Sequence, residues 1–174
     1  MNLNDIDFIE SSDKIVAGID EAGRGPLAGP VVASCVIFDR YTDIANINDS
    51  KKLSTQKRKL LYKVIKENAI SIGVGIVHER EIDKSNILTA TVLAMKTALA
   101  NGNIDPDVVL IDGNRVSLGH NNEKCIVKGD SKSLSIAAAS IIAKVTRDKI
   151  MNEYAKIFPR YDFINNKGYG TKKH

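Results

Sequence analysis

The chain reads as a single α/β domain, a mixed sheet flanked by helices, and three observations lead there. Two β-like runs near the start, 15–19 and 31–38, are joined by a loop rich in glycine and proline. Beyond them, segments of helical and strand periodicity alternate to the end of the chain. A length of 174 residues with 43% hydrophobic side chains suits one domain, 1–174, around one core. No repeat, low-complexity tract or linker interrupts it.

The first run, Ile15-Val16-Ala17-Gly18-Ile19, leads into two adjacent carboxylates, Asp20 and Glu21. Neighbours on a strand face opposite sides, so these two serve one site only if the chain bends, and Ala22-Gly23 supplies the bend. The loop 22–30 holds three glycines, two prolines and Arg24. Its bare backbone admits a close ligand beside a planar cation. The apolar run 31–38 is the second strand. After the polar, turn-rich stretch 46–53, Ser54-Thr55-Gln56 supplies an N-cap for a basic amphipathic helix through 66, with Leu60, Leu61, Val64 and Ile65 turned inward.

Residues 70–77 alternate β-branched side chains with Ser and Gly, which predicts a strand. Ser85 or Asn86 caps the next helix, whose Ile87, Ala90, Thr91, Ala94 and Ala98 fall at helical spacing until Asn101-Gly102 ends it. A short apolar strand over 107–113 is of the kind buried on both faces, and 125–127 predicts another. From 133 to about 157 runs an alanine-rich helix in which Ala137, Ala138, Ala139 and Ala143 let the backbone press against the sheet. Pro159 stops it, and a tail rich in Tyr, Asn, Lys and Gly follows.

Chemistry gathers on acidic residues. Asp112 repeats the pattern of Asp20, since each closes an apolar β-like run, and in an α/β sheet such strand ends lie side by side where ligands bind. Asp130 precedes the long helix; it suits either that helix's N-cap or the same site. Four carboxylates converging without compensating cations raise one another's pKa, and a bound divalent metal resolves the conflict. Oxygen ligands alone select Mg or Mn over zinc. Asp148 lies four residues after Lys144, where an intrahelical ion pair accounts for it.

The stretch Gly18-Ile19-Asp20-Glu21-Ala22-Gly23-Arg24-Gly25-Pro26 resembles the signature of the type 2 ribonucleases H, the ribonuclease HII family. Gly129-Asp130 ahead of Ser135-Ile136-Ala137-Ala138-Ala139-Ser140-Ile141-Ile142-Ala143-Lys144-Val145 matches it again, as does Lys167-Gly168-Tyr169-Gly170-Thr171. The resemblance covers nearly all of the chain. It implies a ribonuclease H-like sheet and a metal-dependent endoribonuclease. The implied activity cuts the RNA strand of RNA–DNA hybrids and DNA duplexes carrying embedded ribonucleotides, leaving 3′-hydroxyl and 5′-phosphate ends. It puts catalysis and two Mg or Mn ions on Asp20, Glu21, Asp112 and Asp130. It further implies that Gly23, Arg24 and Gly25 grip the backbone at a ribonucleotide and detect its 2′-hydroxyl, with Tyr169 on the same sugar. Ser50 and Lys51 resemble a phosphate-contacting loop, although lysines ahead of a helix also make an ordinary solvated face. Members of the family continue past Gly-Tyr-Gly-Thr into a further segment, whereas this chain has three residues after Thr171.

The totals exclude several other classes. A net charge of +4 is compatible with a polyanionic partner, while 5% aromatic residues and no tryptophan argue against a base-stacking platform. Cys35 and Cys125, isolated in β-like runs, read as reduced core residues and not as zinc ligands or a disulfide. His78, His120 and His174 are scattered, and neither a phosphate loop nor a nucleophile elbow occurs. A polar, acidic N-terminus and the lack of a membrane-length apolar run lead to the expectation of a cytoplasmic monomer. Two other readings use the same residues: a hybrid-binding module without turnover, and a phosphatase acting on a small phosphoester.

Overall fold

A computed structural model describes residues 3–9, 13–45, 47, 53–172 and 174. Five strands form one sheet in the order β3-β2-β1-β4-β5: β1 Val16–Ala22, β2 Val31–Phe38, β3 Ala69–Val77, β4 Val108–Asp112 and β5 Glu123–Ile126. The first three are antiparallel neighbours, whereas β1, β4 and β5 run parallel. The mixed sheet expected from the sequence is present, with β1 at its centre.

Helix α3, Ile87–Ala100, covers one face, and α1, Thr55–Asn68, with α4, Leu134–Ile157, covers the other. Alternation on the strands divides the core accordingly. Ala17, Ile19, Cys35, Val109 and Ile111 pack beneath α3 with Ala94, Met95 and Ala98, while Val36 packs on the other face with Ile65, Ala138 and Ile142. Small residues set the spacing. A Cβ on Gly75 would overlap the Ala94 carbonyl oxygen of α3, and one on Gly18 would overlap the backbone of Ser135 and Ile136 in α4. Ser34 Oγ donates to the buried Ala139 carbonyl at 2.7 Å, tying β2 to α4 on that same face.

The caps follow the sequence. Ser54 Oγ accepts from Lys57 N at 3.2 Å, and Asn86, rather than Ser85, takes Thr89 N at 2.9 Å. The N-cap of α4 is Ser133, accepting from Ile136 N at 3.2 Å, so that role is not Asp130's. Asp5 adds a second anchor there, its Oδ1 accepting from Ser133 Oγ at 2.5 Å and from Ser135 N at 3.3 Å.

Some expectations are corrected. Leu60 is 63% exposed: Leu61 and Ile65 face the core, and position 60 falls about 100° away from 61 on the helix. Cys125 is exposed at the sheet's β5 edge, with Sγ donating to the Val116 carbonyl at 3.1 Å. Cys35 is buried as expected, and burial pushes its thiol up to about 12. Two short helices, α2 Glu79–Lys84 and α5 Phe163–Asn166, have no counterpart in the sequence reading. Among the described residues no helix is long and apolar enough to cross a membrane.

Candidate active site

Parallel pairing of β1 with β4 ends at Ile19 opposite Ile111, so Asp20 and Asp112 are the next residue along each strand. Alternation puts Asp20 on the face of Gly18 and Asp112 on the face of Leu110. That is the α4 face, since Gly18 abuts Ser135 and Leu110 packs with Ile136. Strand β1 does not stop at Asp20, because its pairing with β2 continues to Ala22 opposite Val32. The bend comes at Gly23, where φ is +112° and a side chain would overlap the Pro30 carbonyl. Glu21 nevertheless borders the same cavity as Asp20. By that point the β4 side of the strand is no longer paired, and the cavity opens beside the strand end.

The cavity measures about 230 Å³. Asp20, Glu21 and Asp112 line it from the sheet, Ser140 and Lys144 from α4, and Gly23-Arg24-Gly25 with Tyr169 from the loop and tail. Asp20 is buried, and its Oδ1 accepts the Glu21 N–H at 2.7 Å. Burial first, then the charges of Glu21 and Asp112, hold its carboxyl well above the usual carboxylate range against the opposing hydrogen bond from Ser140. Burial also raises Glu21, although Arg24 Nη1 donates to its Oε1 at 3.2 Å and pulls the other way. Asp112 Oδ1 accepts the Gly129 N–H at 2.7 Å, which fixes the end of β4 to the turn before α4.

Of the residues singled out in the sequence, Asp20, Glu21, Asp112, Gly23, Arg24, Gly25 and Tyr169 are brought together around this cavity. A Cβ on Gly25 would stand 3.6 Å from the Tyr169 ring, so loop and tail meet at contact distance on the wall of the cavity. Asp130 is buried in the turn Gly129–Ser131 and is not among the described residues lining the cavity. It follows directly on Gly129, the residue whose amide holds Asp112. Ser50 and Lys51 lie outside the described residues.

Three contributors escaped the sequence reading. Ser140 and Lys144 fall four apart on one face of α4, a spacing hidden among alanines valued for packing. Lys144 also makes the anticipated pair with Asp148, at 2.6 Å. Arg147, 1% exposed, donates from Nε to Pro30 O, from Nη2 to Ala28 O and from Nη1 to Lys167 O, each at 2.9 Å. It thereby joins the glycine loop to the tail that carries Tyr169.

The donor set is three carboxylates, two of them driven toward protonation, and the two cations beside them are already paired, Arg24 with Glu21 and Lys144 with Asp148. Among the described residues no three His, Cys, Asp or Glu side chains form a preassembled metal site. What the cavity offers is a surplus of hard oxygen atoms around a space, which fits an Mg- or Mn-like ion and not a nitrogen- or sulfur-seeking one.

The family model described as Ribonuclease HII matches residues 17–174. A ribonuclease HII from Listeria innocua is 53% identical over all of this chain, which spans 66% of that relative's length. The crystal structure of ribonuclease H2 from Pyrococcus horikoshii OT3 superposes with a TM-score of 0.78 at 28% identity, over 91% of this chain and 82% of that one. Bst-RNase HIII in complex with Mn2+ shares the fold, with a TM-score of 0.68 at 23% identity over 83% of this chain and 55% of that one.

Proposed function

This chain belongs to the ribonuclease HII family, and on that premise we propose that it is an endoribonuclease acting on RNA–DNA hybrids and on duplex DNA with embedded ribonucleotides. Its products carry 3′-hydroxyl and 5′-phosphate ends. The observation that carries this reading is the side-by-side placement of Asp20 and Asp112 just past the last residues that pair β1 with β4, facing α4 from inside a cavity. A module that only bound phosphate would be weakened by buried carboxylates at that point, and this disfavours the turnover-free alternative.

Asp20, Glu21 and Asp112, with Asp130 as the fourth carboxylate behind Gly129, would hold Mg or Mn, with two ions during catalysis. When bound, such ions activate water for in-line attack and stabilise the leaving oxygen. An Mn2+ complex of a protein with the same fold agrees with the donor set. The chain's own groups do the rest. Ser140 fixes the Asp20 carboxyl, and the Gly129 amide fixes Asp112. Gly23, Arg24 and Gly25 would grip the backbone at the ribonucleotide, with Tyr169 beside Gly25 positioning its sugar and reporting its 2′-hydroxyl. Arg24 and Lys144, each anchored by a carboxylate, present cations to the flanking phosphates, and Ser50 with Lys51 would add a further phosphate contact. We place the enzyme in the cytoplasm as a monomer.

The test is a DNA duplex carrying one ribonucleotide, incubated with Mg or Mn, with Ca and with chelator. Cleavage with Mg or Mn, none in chelator, and none with Ca is expected, because Ca accepts a looser, higher-coordinate shell than in-line attack tolerates. Full cleavage in excess chelator overturns the carboxylate mechanism. Hydrolysis of a small phosphoester with the duplex left intact favours the phosphatase reading.

A further inference from the structure

A second concave surface lies outside the cleft, where α1 crosses α4. It is a groove of about 430 Å³ whose rim carries Arg58, Lys59 and Lys63 from α1, Lys149 from α4, and Lys167 from the tail. Among the described residues its one lining carboxylate is Asp148, already engaged by Lys144 at 2.6 Å. Lysines scattered over one helix are usually a solvated face, but here two helices and the tail turn theirs into a shared hollow. The crowding is felt: burial lowers the Lys167 amine, and the charges of Lys144 and Lys59 add to that against the pull of Asp148. Some of the cations are also held in place. Lys149 Nζ stands 4.2 Å from the Tyr62 ring centroid, and Lys167 Nζ donates to Asn152 Oδ1 at 2.5 Å and to Ile164 O at 2.8 Å. Neither interaction cancels the charge.

Two links tie the groove to the cleft. Lys144 lines the cleft while its partner Asp148 lines the groove, and Tyr169 of the cleft stands two residues from Lys167 of the groove. We infer that the α1–α4 groove is a second docking point for the nucleic-acid backbone, which holds phosphates of the bound duplex several nucleotides from the cleft. This rests on the reading of the cleft as the nuclease site. From Ser140 to Lys149, α4 advances roughly 13–14 Å. Laid along a duplex, that is on the order of four base steps of 3.4 Å, so a duplex extending three base pairs from the cleft stops short of Lys149. A small phosphate ligand has less to gain, since the cations ring an extended hollow and do not close on one point.

The experiment measures affinity for hybrid duplexes extending either three or twelve base pairs on both sides of a central ribonucleotide, in chelator and over a series of salt concentrations. Wild type is compared with the triple variant Lys59→Gln, Lys63→Gln and Lys149→Gln, all three positions being exposed. For the long duplex, the slope of log affinity against log salt should flatten by roughly two to three, about 0.9 for each phosphate no longer neutralised, with at least tenfold weaker binding near 0.1 M salt. The advantage of the long duplex over the short one should largely disappear in the variant. Unchanged affinity and slope on the long duplex overturn the inference, as does equal weakening on both lengths. An unchanged melting temperature establishes that the variant is folded; if it melts lower, Lys59→Gln with Lys149→Gln serves as the readout. Because no metal is present, a protein that binds through the groove yet never cuts would remove the nuclease reading alone.

Discussion

Arg147 Nε donates to the carbonyl oxygen of Pro30 at 2.9 Å across 117 positions of sequence. With its bonds to Ala28 and Lys167 it turns a buried guanidinium into a staple between the glycine loop and the tail. Leu27 N donates to Gly168 O at 2.9 Å beside it, so loop and tail are also tied to each other directly.

Arg147→Met should therefore destabilise the protein by about 3 kcal/mol or more, since it strands three carbonyls that were satisfied by one buried donor group. Arg147→Lys should fall between, because an ammonium cannot span all three acceptors in the planar arrangement. Urea unfolding monitored by circular dichroism measures both. A Met variant as stable as wild type would mean that the staple contributes nothing.

Asp20→Asn should abolish cleavage yet raise the melting temperature at neutral pH in chelator. A carboxyl whose pKa is raised by folding binds its proton more tightly in the native state. The stability it contributes is complete below its unfolded-state pKa and is lost as pH rises through the raised native one. Neutral pH is thus where the wild-type charge costs most. The gap between variant and wild type should narrow as pH falls toward and below the ordinary carboxylate range. Thermal melts across pH 4 to 8 decide it, and a variant that melts lower at neutral pH contradicts the expectation.

Tyr169→Ala separates sugar recognition from metal chemistry. Loss of the ring facing Gly25 should slow single-turnover cleavage at one embedded ribonucleotide by roughly 1–3 kcal/mol of transition-state stabilisation, with metal dependence and melting temperature unchanged. Arg24→Ala should weaken binding more than turnover and flatten the salt dependence, because its charge serves phosphate. A Tyr169→Ala protein that melts lower but cuts at the wild-type rate per folded molecule would return the residue to simple packing of the tail.

The sheet and the acidic pair were legible because apolar runs closing on Asp20 and Asp112 leave few other arrangements. Helix starts at Ser54 and Asn86 were legible for an equally local reason, a short polar acceptor before a periodic segment, whereas at the long helix Asp130 drew attention away from the actual cap, Ser133. What stayed hidden depends on packing between distant parts. Arg147 sits in α4 like any surface arginine, and nothing local announces three carbonyls waiting around it. Cys125 lies in an apolar run, but the run is an edge strand with one side open. Glu79–Lys84 is too short for a periodic signal, although His78 N donates to Glu81 Oε2 at 3.3 Å in the manner of a capping box.

The central position of β1 bears on how the protein comes to be made. Its carboxylates need β4, nearly a hundred residues on, and α4 seals them only when residues as late as 140 and 169 are in place. Pairings of such span are slow to close. On the ribosome the β1–β2–β3 meander can pair once residue 77 has been made, but the cleft waits for residues from 112 to 169. A nascent chain therefore has no finished cleft until residue 169 has been made.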